Sequence, residues 1–441
     1  MILSMSKKVK ELKVVELFAG VGGFRIGFER SDQERFKTVW FNQWEPNKTR
    51  QYAHEVYSHV WDVGDMPHTN KDIELVVQEH ILDIPNHDIL VGGFPCQDYS
   101  VAKPLSSSKG IVGKKGVLWW SIVNLVKKFS ELPNKKRPSI LVLENVDRLL
   151  KSPSTQRGRD FAVMLKSLDT LGYNVEWRVI NAAEYGFPQR RKRVFILGYR
   201  KDSRLGMDLA SATAEKWLRN GVLSSAFPNT FENDEIRSQV LLQDEHVISK
   251  EFGKGQKSSF FRNAGIMVEG EVFTVEVDAT YDGQSRVLKD VLISDSEVLE
   301  IFGEEYFIDK NALDKWKWLK GAKKIERVNK KTGVPYVFSE GSMAFPDKLE
   351  RPSRTIITGE GGRSPSRFKH VIRSPESGSH RRLTPLELER LSMFPDNHTA
   401  IGVNGEISNN KRAFFIGNAL VTGIVTEIGN EVLRRVDRHG I

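Results

Sequence analysis

The 441-residue sequence predicts an α/β protein: a doubly wound, mostly parallel sheet with a smaller, irregular, β-rich domain beside it. Three observations predict this. Residues 12–200 alternate short Val-, Ile- and Leu-rich runs with stretches whose apolar residues recur at helical spacing, the pattern of a parallel sheet covered on both faces. Residues 201–380 lose that alternation, and turns rich in Gly, Ser, Asn and Lys multiply. Helical order returns in residues 381–441, read as a segment that rejoins the first domain.

Taken in order, LKVVELF (12–18), KTVWFN (37–42), HDILVGGF (87–94) and SILVLEN (139–145) read as buried strands bounded by Gly, Pro, Asn or charge. GFRIGFERS, TRQYAHEVYSHV, LWWSIVNLVKKFSE and FAVMLKSLDTLGY supply the intervening helices. YNVEWRVI (173–180) and RVFILGYR (193–200) are joined by a loop instead of a helix, so this pair is expected to close the sheet antiparallel. DKWKWLKGAKKIERVNKK (314–331) holds seven lysines and an arginine against two acids, with Trp316 and Trp318 interleaved. It reads either as a recognition surface or, more plainly, as a solvated lysine-rich helix with two core tryptophans. In LTPLELERLSMF, Thr384 is an N-cap, Pro385 the first helical residue and Glu387 the partner in a capping box, with Leu383 and Leu388 as a staple. FFIGNALVTGIVTEIGNEVLRRV then gives a turn and a long amphipathic helix.

Hydrophobic residues make up 39% and charged residues 28%, a balance that permits a sizeable core in a soluble chain. The single cysteine excludes an internal disulfide and any cysteine-rich metal cluster, so no metal site is expected and a reducing interior is the natural compartment. Lysines interrupt the start where a signal peptide needs an apolar run, and no uncharged stretch approaches membrane-spanning length. The expectation is a cytoplasmic protein. A net charge of +9 favours anionic partners, nucleic acid among them.

The first strand runs into FAGVGGF (18–24), whose Gly20, Gly22 and Gly23 permit a sharp turn and close approach to a ligand at the strand's carboxyl end. The spacing is not that of a dinucleotide pyrophosphate loop. An acid in FNQWEP, some 20 residues on, stands where a ribose hydroxyl pair is usually held. The two together point to an adenosine-type cofactor without an essential pyrophosphate, which S-adenosylmethionine satisfies. Cys96 follows the strand ending in Gly92 and Gly93, after Pro95. On these grounds it is either an inert buried thiol or a nucleophile exposed at the sheet edge. Glu144 ends another apolar strand, where a carboxylate is costly unless paired or given a task. FPQRRKR (187–193) supplies arginines that could pair it.

In this order the elements resemble the DNA (cytosine-5) methyltransferase family over most of the chain. The matching motifs are the cofactor loop Phe18 to Phe24, FPCQ, ENV, PQRRKR, RRLTPLELERLSMFP and GNALV. The resemblance implies methyl transfer from S-adenosylmethionine, leaving S-adenosylhomocysteine, to C5 of a cytosine flipped out of double-stranded DNA. It implies that Cys96 attacks C6, that Glu144 holds N3 and the exocyclic amine, and that Arg193 holds O2, with Arg191 supporting it or a phosphate. Implied cofactor residues are Phe18, Ala19, Gly20, Gly22, Gly23, Gln43, Trp44, Glu45, Asp72, Ile73, Pro95, Asn418 and Ala419. Implied DNA-binding residues are Gln97, Ser100, Gln189, Thr358, Gly361, Gly362 and Arg363. Residues 97–116 would be the loop that closes on the base, and 201–380 the target-recognition domain.

The chain departs from the family pattern in two places. Gln43 stands where a ribose-binding glutamate is usual, with Glu45 two positions on, so either could take that role. Ala419 and Leu420 follow Asn418 where Ser-Val is usual. The family likeness implies a monomeric modification enzyme of bacterial or phage type, acting in a bacterial cell or phage-infected host. An RNA (tRNA) cytosine methyltransferase and a catalytically silent DNA-binding relative are the competing readings.

Overall fold

The computed structural model describes residues 10–64, 66–94, 117–241, 243–329 and 333–441. Two compact units emerge, one of residues 1–185, 192–283 and 422–441, the other of residues 186–191 and 284–421.

The first unit opens with β1 (Leu12–Leu17), α1 (Gly23–Asp32), β2 (Phe36–Asn42), α2 (Tyr52–Val60), β3 (His68–Thr69) and α3 (Ile73–Glu79). It continues with β4 (Ile89–Gly93), α4 (Val117–Glu131), β5 (Ile140–Asn145), α5 (Arg159–Thr170), β6 (Tyr173–Asn181) and β7 (Lys192–Arg200). The ten-stranded sheet runs β3-β2-β1-β4-β5-β7-β6 and then through Ala264–Val268, Glu271–Val275 and Arg237–Val240. From β3 to β5 every pairing is parallel. Beyond β5 every pairing is antiparallel, beginning with β5 on β7 and β7 on β6. The two halves follow from the connections. Helices alternate with the parallel strands along the chain, whereas the β6–β7 link is too short for a crossover.

The parallel strands carry near-continuous apolar runs because both faces are covered; Leu141, Val142 and Leu143 of β5 are fully buried. Leu141 and Leu143 share one core with Trp40, Leu90, Leu125, Phe129, Phe161 and Trp177. The helix Thr422–His439 returns to this unit from the far end of the chain and lies against α1. Its approach is close because Gly27 and Gly429 carry no side chains. A Cβ on Gly27 would stand 2.4 Å from the Val425 Cβ, and one on Gly429 3.0 Å from Ser31. Arg30 donates to the Thr422 hydroxyl at 3.1 Å, and Ser31 to Asn430 at 2.7 Å.

The second unit is made of short helices and two-stranded sheets. Ile293, Val298, Phe302, Tyr306 and Leu386 form one apolar cluster in it. The helix Pro385–Leu391 starts as its residues dictate: Thr384 accepts from the Glu387 N–H, Glu387 accepts from the Thr384 N–H at 2.8 Å, and Leu383 and Leu388 are buried. Glu387 also holds the buried Arg381 at 2.8 Å, so one carboxylate caps a helix and neutralises a core cation.

The units divide the chain differently from residues 200 and 380. Residues 201–283 fold with the first unit, because the loss of strand–helix alternation there marks a change from parallel to antiparallel pairing within one sheet. Of residues 381–441, only 422–441 pack with the first unit, and 381–421 belong to the second. The second unit starts, in its main segment, at Gln284.

Candidate active site

In the strand order β3-β2-β1-β4-β5, β1 and β4 are neighbours whose following connections depart in opposite directions along the sheet. That is a switch point, and open α/β sheets bind ligands outside the carboxyl ends of the strands there. Both the glycine turn after β1 and the end of β4 lie at this place, with Leu17 of β1 in register with Gly92 of β4.

The turn after β1 places three residues in the left-handed region: Phe18 at φ +54, Gly20 at +57 and Gly22 at +84. Phe18 is the only one with a Cβ to oppose that conformation, which costs on the order of 1–3 kcal/mol. Ala19 N–H donates to the Asn42 carbonyl at 3.0 Å and Gly22 N–H to the Ala19 carbonyl at 2.8 Å. Gly20 N–H donates to Gln43 Oε1 at 2.7 Å. A Cβ on Gly22 would fall 2.1 Å from the Trp61 ring, so no side chain fits; a Cβ on Gly20 would meet nothing within 4 Å. Gly23 is the first residue of α1. The loop is thus held from beneath by Gln43 and stays open at Gly20.

Beyond β2, Trp44 is exposed, while Glu45 is half-buried. The Glu45 backbone is clamped by Gln51, which accepts from its N–H at 2.6 Å and donates to its carbonyl at 2.9 Å. Its Oε2 is buried without a hydrogen-bond partner among the described residues. Asp72 caps α3, accepting from the Glu74 N–H at 3.0 Å, and Ile73 is buried in the core. Any cofactor contact from Ile73 is therefore left to its backbone.

One strand further on, Gly93 of β4 pairs with Glu144 of β5, and β5 pairs antiparallel with β7. Arg193 at the start of β7 reaches Glu144, Nε to Oε1, at 2.7 Å. A Cβ on Gly93 would stand 3.3 Å from Glu144 Oε2, so glycine keeps that carboxylate face clear. Asn145 donates to the Phe94 carbonyl at 2.8 Å and accepts from Val146 N–H at 2.8 Å, tying the exit of β4 to the end of β5. Pro95, Cys96, Gln97 and Ser100 lie outside the described residues.

Two further residues of the arginine motif belong to the second unit. Arg191 is buried and donates to the carbonyls of Ile356 and Gly417, each at 2.9 Å. Gln189 is fully buried, donating to Ser392 at 3.1 Å and accepting from the Ile356 N–H at 3.1 Å. Both side chains make these hydrogen bonds inside the second unit. They brace the backbone of Ile356 and the end of the helix Asn409–Asn418. A Cβ on Gly417 would lie 2.5 Å from the Thr358 nitrogen. Thr358, Asn418 and Arg363 are exposed, and Arg363 pairs with Glu305. The Gly362 carbonyl accepts from Lys369 at 2.7 Å and Arg382 at 2.8 Å, and a Cβ on Gly361 would meet Asn410 at 2.9 Å.

The family model for C-5 cytosine-specific DNA methylase matches residues 12–434. The chain belongs to that family. This methyltransferase is 43% identical over 427 residues to the type II methyltransferase M.Sau3AI of Staphylococcus aureus, covering 96% of each chain. It is 29% identical over 247 residues to M.HhaI of Haemophilus parahaemolyticus, 56% of this chain and 62% of that one. Among solved structures, S. pombe Dnmt2 methyltransferase shares the fold, with a TM-score of 0.56, 13% identity and coverage of 97% and 100%. The enzyme is thus a DNA (cytosine-5)-methyltransferase on a mixed sheet whose parallel half carries the glycine turn.

A group under that turn carries no motif signal beyond its charge. Glu16 of β1 is fully buried, and desolvation pushes its carboxyl up from 4.5 to about 8, against the lowering effect of the Tyr57 hydrogen bond. Tyr57 donates to Glu16 Oε2 at 3.0 Å, and Arg25 lies 4.6 Å over the Trp61 ring. A charged letter inside LKVVELF was the available clue. Asn145 was equally readable, as the polar residue between Glu144 and Val146.

Proposed function

We propose that the enzyme modifies a cytosine rotated out of duplex DNA, with Cys96 bonding transiently to C6 and S-adenosylmethionine as methyl donor. The ion pair of Glu144 and Arg193 at the carboxyl edge of β5, two strands from the β1 that leads into the glycine turn, carries this reading. A guanidinium and a carboxylate side by side match the O2 and N3–amine edge of cytosine, which presents an acceptor beside a donor. Cytosine C6 lies inside a stacked duplex, so the base must leave the helix for a thiol to reach it.

The cofactor residues fit an adenosine with an attached amino acid. The open Gly20 turn leaves room for backbone approach, Trp44 offers an exposed ring for the adenine, and Glu45 has an unsatisfied carboxylate oxygen for ribose hydroxyls. Gln43 already supports Gly20, which favours Glu45 as the ribose acid. When bound, S-adenosylmethionine supplies a methyl group that leaves with its bonding pair on sulfur. The Cys96 thiolate adds to C6 and moves electron density to C5 and toward N3, where Glu144 holds a proton. C5 takes the methyl; loss of the C5 proton then expels the thiolate and restores the ring. Asn145 positions this chemistry by fixing the chain two residues before Cys96. Asp72, Asn418 and Ala419 as cofactor contacts, and Thr358 and Arg363 as DNA contacts, belong to the same proposal.

Trapping tests it. Duplex DNA with 5-fluorocytosine at the target should form a stable adduct, since fluorine does not leave as a proton. Peptide mass spectrometry should find it on Cys96, and Cys96→Ala should abolish adduct and turnover. An adduct elsewhere, or turnover by Cys96→Ala, overturns the mechanism. The likeness to type II methyltransferases supports a modification role in a bacterial or phage-infected cell. Bisulfite sequencing of DNA from a methylation-free host expressing it should show one short modified sequence.

A further inference from the structure

We propose that Gln51 is a positioning residue for the cofactor: its side-chain amide fixes the Glu45 backbone so that the Glu45 carboxylate meets the ribose of S-adenosylmethionine. This rests on the reading of Glu45 as the ribose acid and names the group that sets its geometry.

Residues 43–51 form neither strand nor helix, and Trp44, Pro46, Asn47, Lys48 and Thr49 are exposed. Asn47 carries the backbone through the left-handed region at φ +60, a conformation asparagine tolerates. Such a loop buries little apolar surface of its own, so its order must come from hydrogen bonds. One side chain supplies three of them. Gln51 Oε1 accepts from the Glu45 N–H at 2.6 Å, and Gln51 Nε2 donates to the carbonyls of Glu45 and Lys48, each at 2.9 Å. Both backbone groups of Glu45 are thereby held, and with them the direction of a carboxylate whose Oε2 is buried without a hydrogen-bond partner among the described residues. The pattern calls for an amide. Its oxygen matches one N–H and its two hydrogens match two carbonyls, whereas a carboxylate of the same shape offers acceptors only.

The clamp is itself anchored. Gln51 is the N-cap of α2, its carbonyl accepting from the Glu55 N–H at 3.0 Å. Ala53, Val56 and Tyr57 of that helix are buried. Tyr57 stacks on Phe41 of β2 with ring centroids 3.9 Å apart and donates to Glu16 of β1 at 3.0 Å. At the far end of the helix, Trp61 packs against Gly22 of the glycine turn. One helix therefore indexes both cofactor segments, the glycine turn through Trp61 and Glu45 through Gln51. These core contacts hold α2 in place without the Gln51 amide, so removing the amide frees the loop and leaves the helix seated. A loop ordered before its ligand arrives lowers the ordering cost of binding, and the difference shows as affinity.

The test uses the full-length enzyme, calorimetric titration with S-adenosylmethionine in the absence of DNA, and methyl-transfer rates on a duplex the wild type modifies. Gln51→Ala should raise both the dissociation constant and the KM for S-adenosylmethionine about 10-fold, with kcat at saturating cofactor and KM for the duplex as in the wild type. Gln51→Glu should bind no better than the alanine variant, because its oxygens face two carbonyls; a side chain that only filled space would be replaced by glutamate without loss. In a double-mutant cycle, Gln51→Ala should weaken binding by less than about 2-fold when added to Glu45→Ala, since it acts through that residue. Wild-type affinity in Gln51→Ala or Gln51→Glu, full additivity with Glu45→Ala, or a kcat that falls as far as the affinity overturns the proposal. If Glu45→Ala weakens binding and Gln51→Ala does not, the clamp alone is wrong. If Glu45→Ala binds as the wild type does, the ribose reading fails and takes the clamp with it.

Discussion

Glu45 and Gln43 show how one residue's hydrogen bonds decide between roles that their positions leave equal. Gln43 Oε1 is committed to Gly20 N–H, whereas Glu45 keeps a buried oxygen without a partner. A buried acceptor left unmade costs about 1–3 kcal/mol, and a ribose hydroxyl would recover it. Glu45→Ala should therefore raise the dissociation constant for S-adenosylmethionine about 10-fold or more with DNA binding intact. Gln43→Ala should act through the loop, lowering the thermal midpoint as well. If isothermal titration finds Glu45→Ala binding the cofactor as the wild type does, Glu45 is not the ribose acid. Arg191 and Arg193 make the complementary point. Two letters apart on a strand-like segment, they face different neighbours: Arg193 meets Glu144, and Arg191 is spent on the carbonyls of Ile356 and Gly417. Nothing in PQRRKR distinguishes them.

At the scale of elements, the β1–β4 switch point accounts for why the glycine turn after β1 and the end of β4, distant in sequence, share one sheet edge. The strands of the parallel half were legible because full burial leaves uninterrupted apolar runs. α3 was not predicted as a helix, being short and preceded by a run of turn-forming residues whose Asp72 turned out to be its cap. The closing helix Thr422–His439 was legible from its periodicity, but its seat on α1 was not. That seat depends on Gly27 and Gly429, which in sequence look like weak points in helices. Gly27→Ala should force α1 and the closing helix apart and lower the thermal midpoint by several degrees, as overpacking of about 1–3 kcal/mol would. An unchanged midpoint by calorimetry would mean the helices slide freely.

For the molecule as a whole, Glu16 links stability to pH. Its folded-state value near 8 stands above the ordinary 4.5, so between those values the native state retains a proton that the unfolded chain has lost. The stability this contributes is complete at low pH and is lost as pH rises toward and through 8. Melting from pH 5 to pH 8.5 should show wild type losing stability relative to Glu16→Gln, the neutral isostere. A difference between the two that stays constant across that range would show that Glu16 ionises normally in the fold.

The sequence by itself determined the family, the order of motifs, the parallel half of the sheet and the identity of Cys96, Glu144 and Arg193 as candidates. These are local properties: residue type, spacing and hydrophobic period act over neighbouring positions. Tertiary structure decided the rest. It drew the unit boundaries away from 200 and 380, tied Gln189 and Arg191 to the backbone of Ile356, and joined Glu144 to Arg193. Each depends on which distant backbone carbonyl, carboxylate or helix arrives beside a given side chain, and contact across a hundred or more residues leaves no mark in the local pattern of letters.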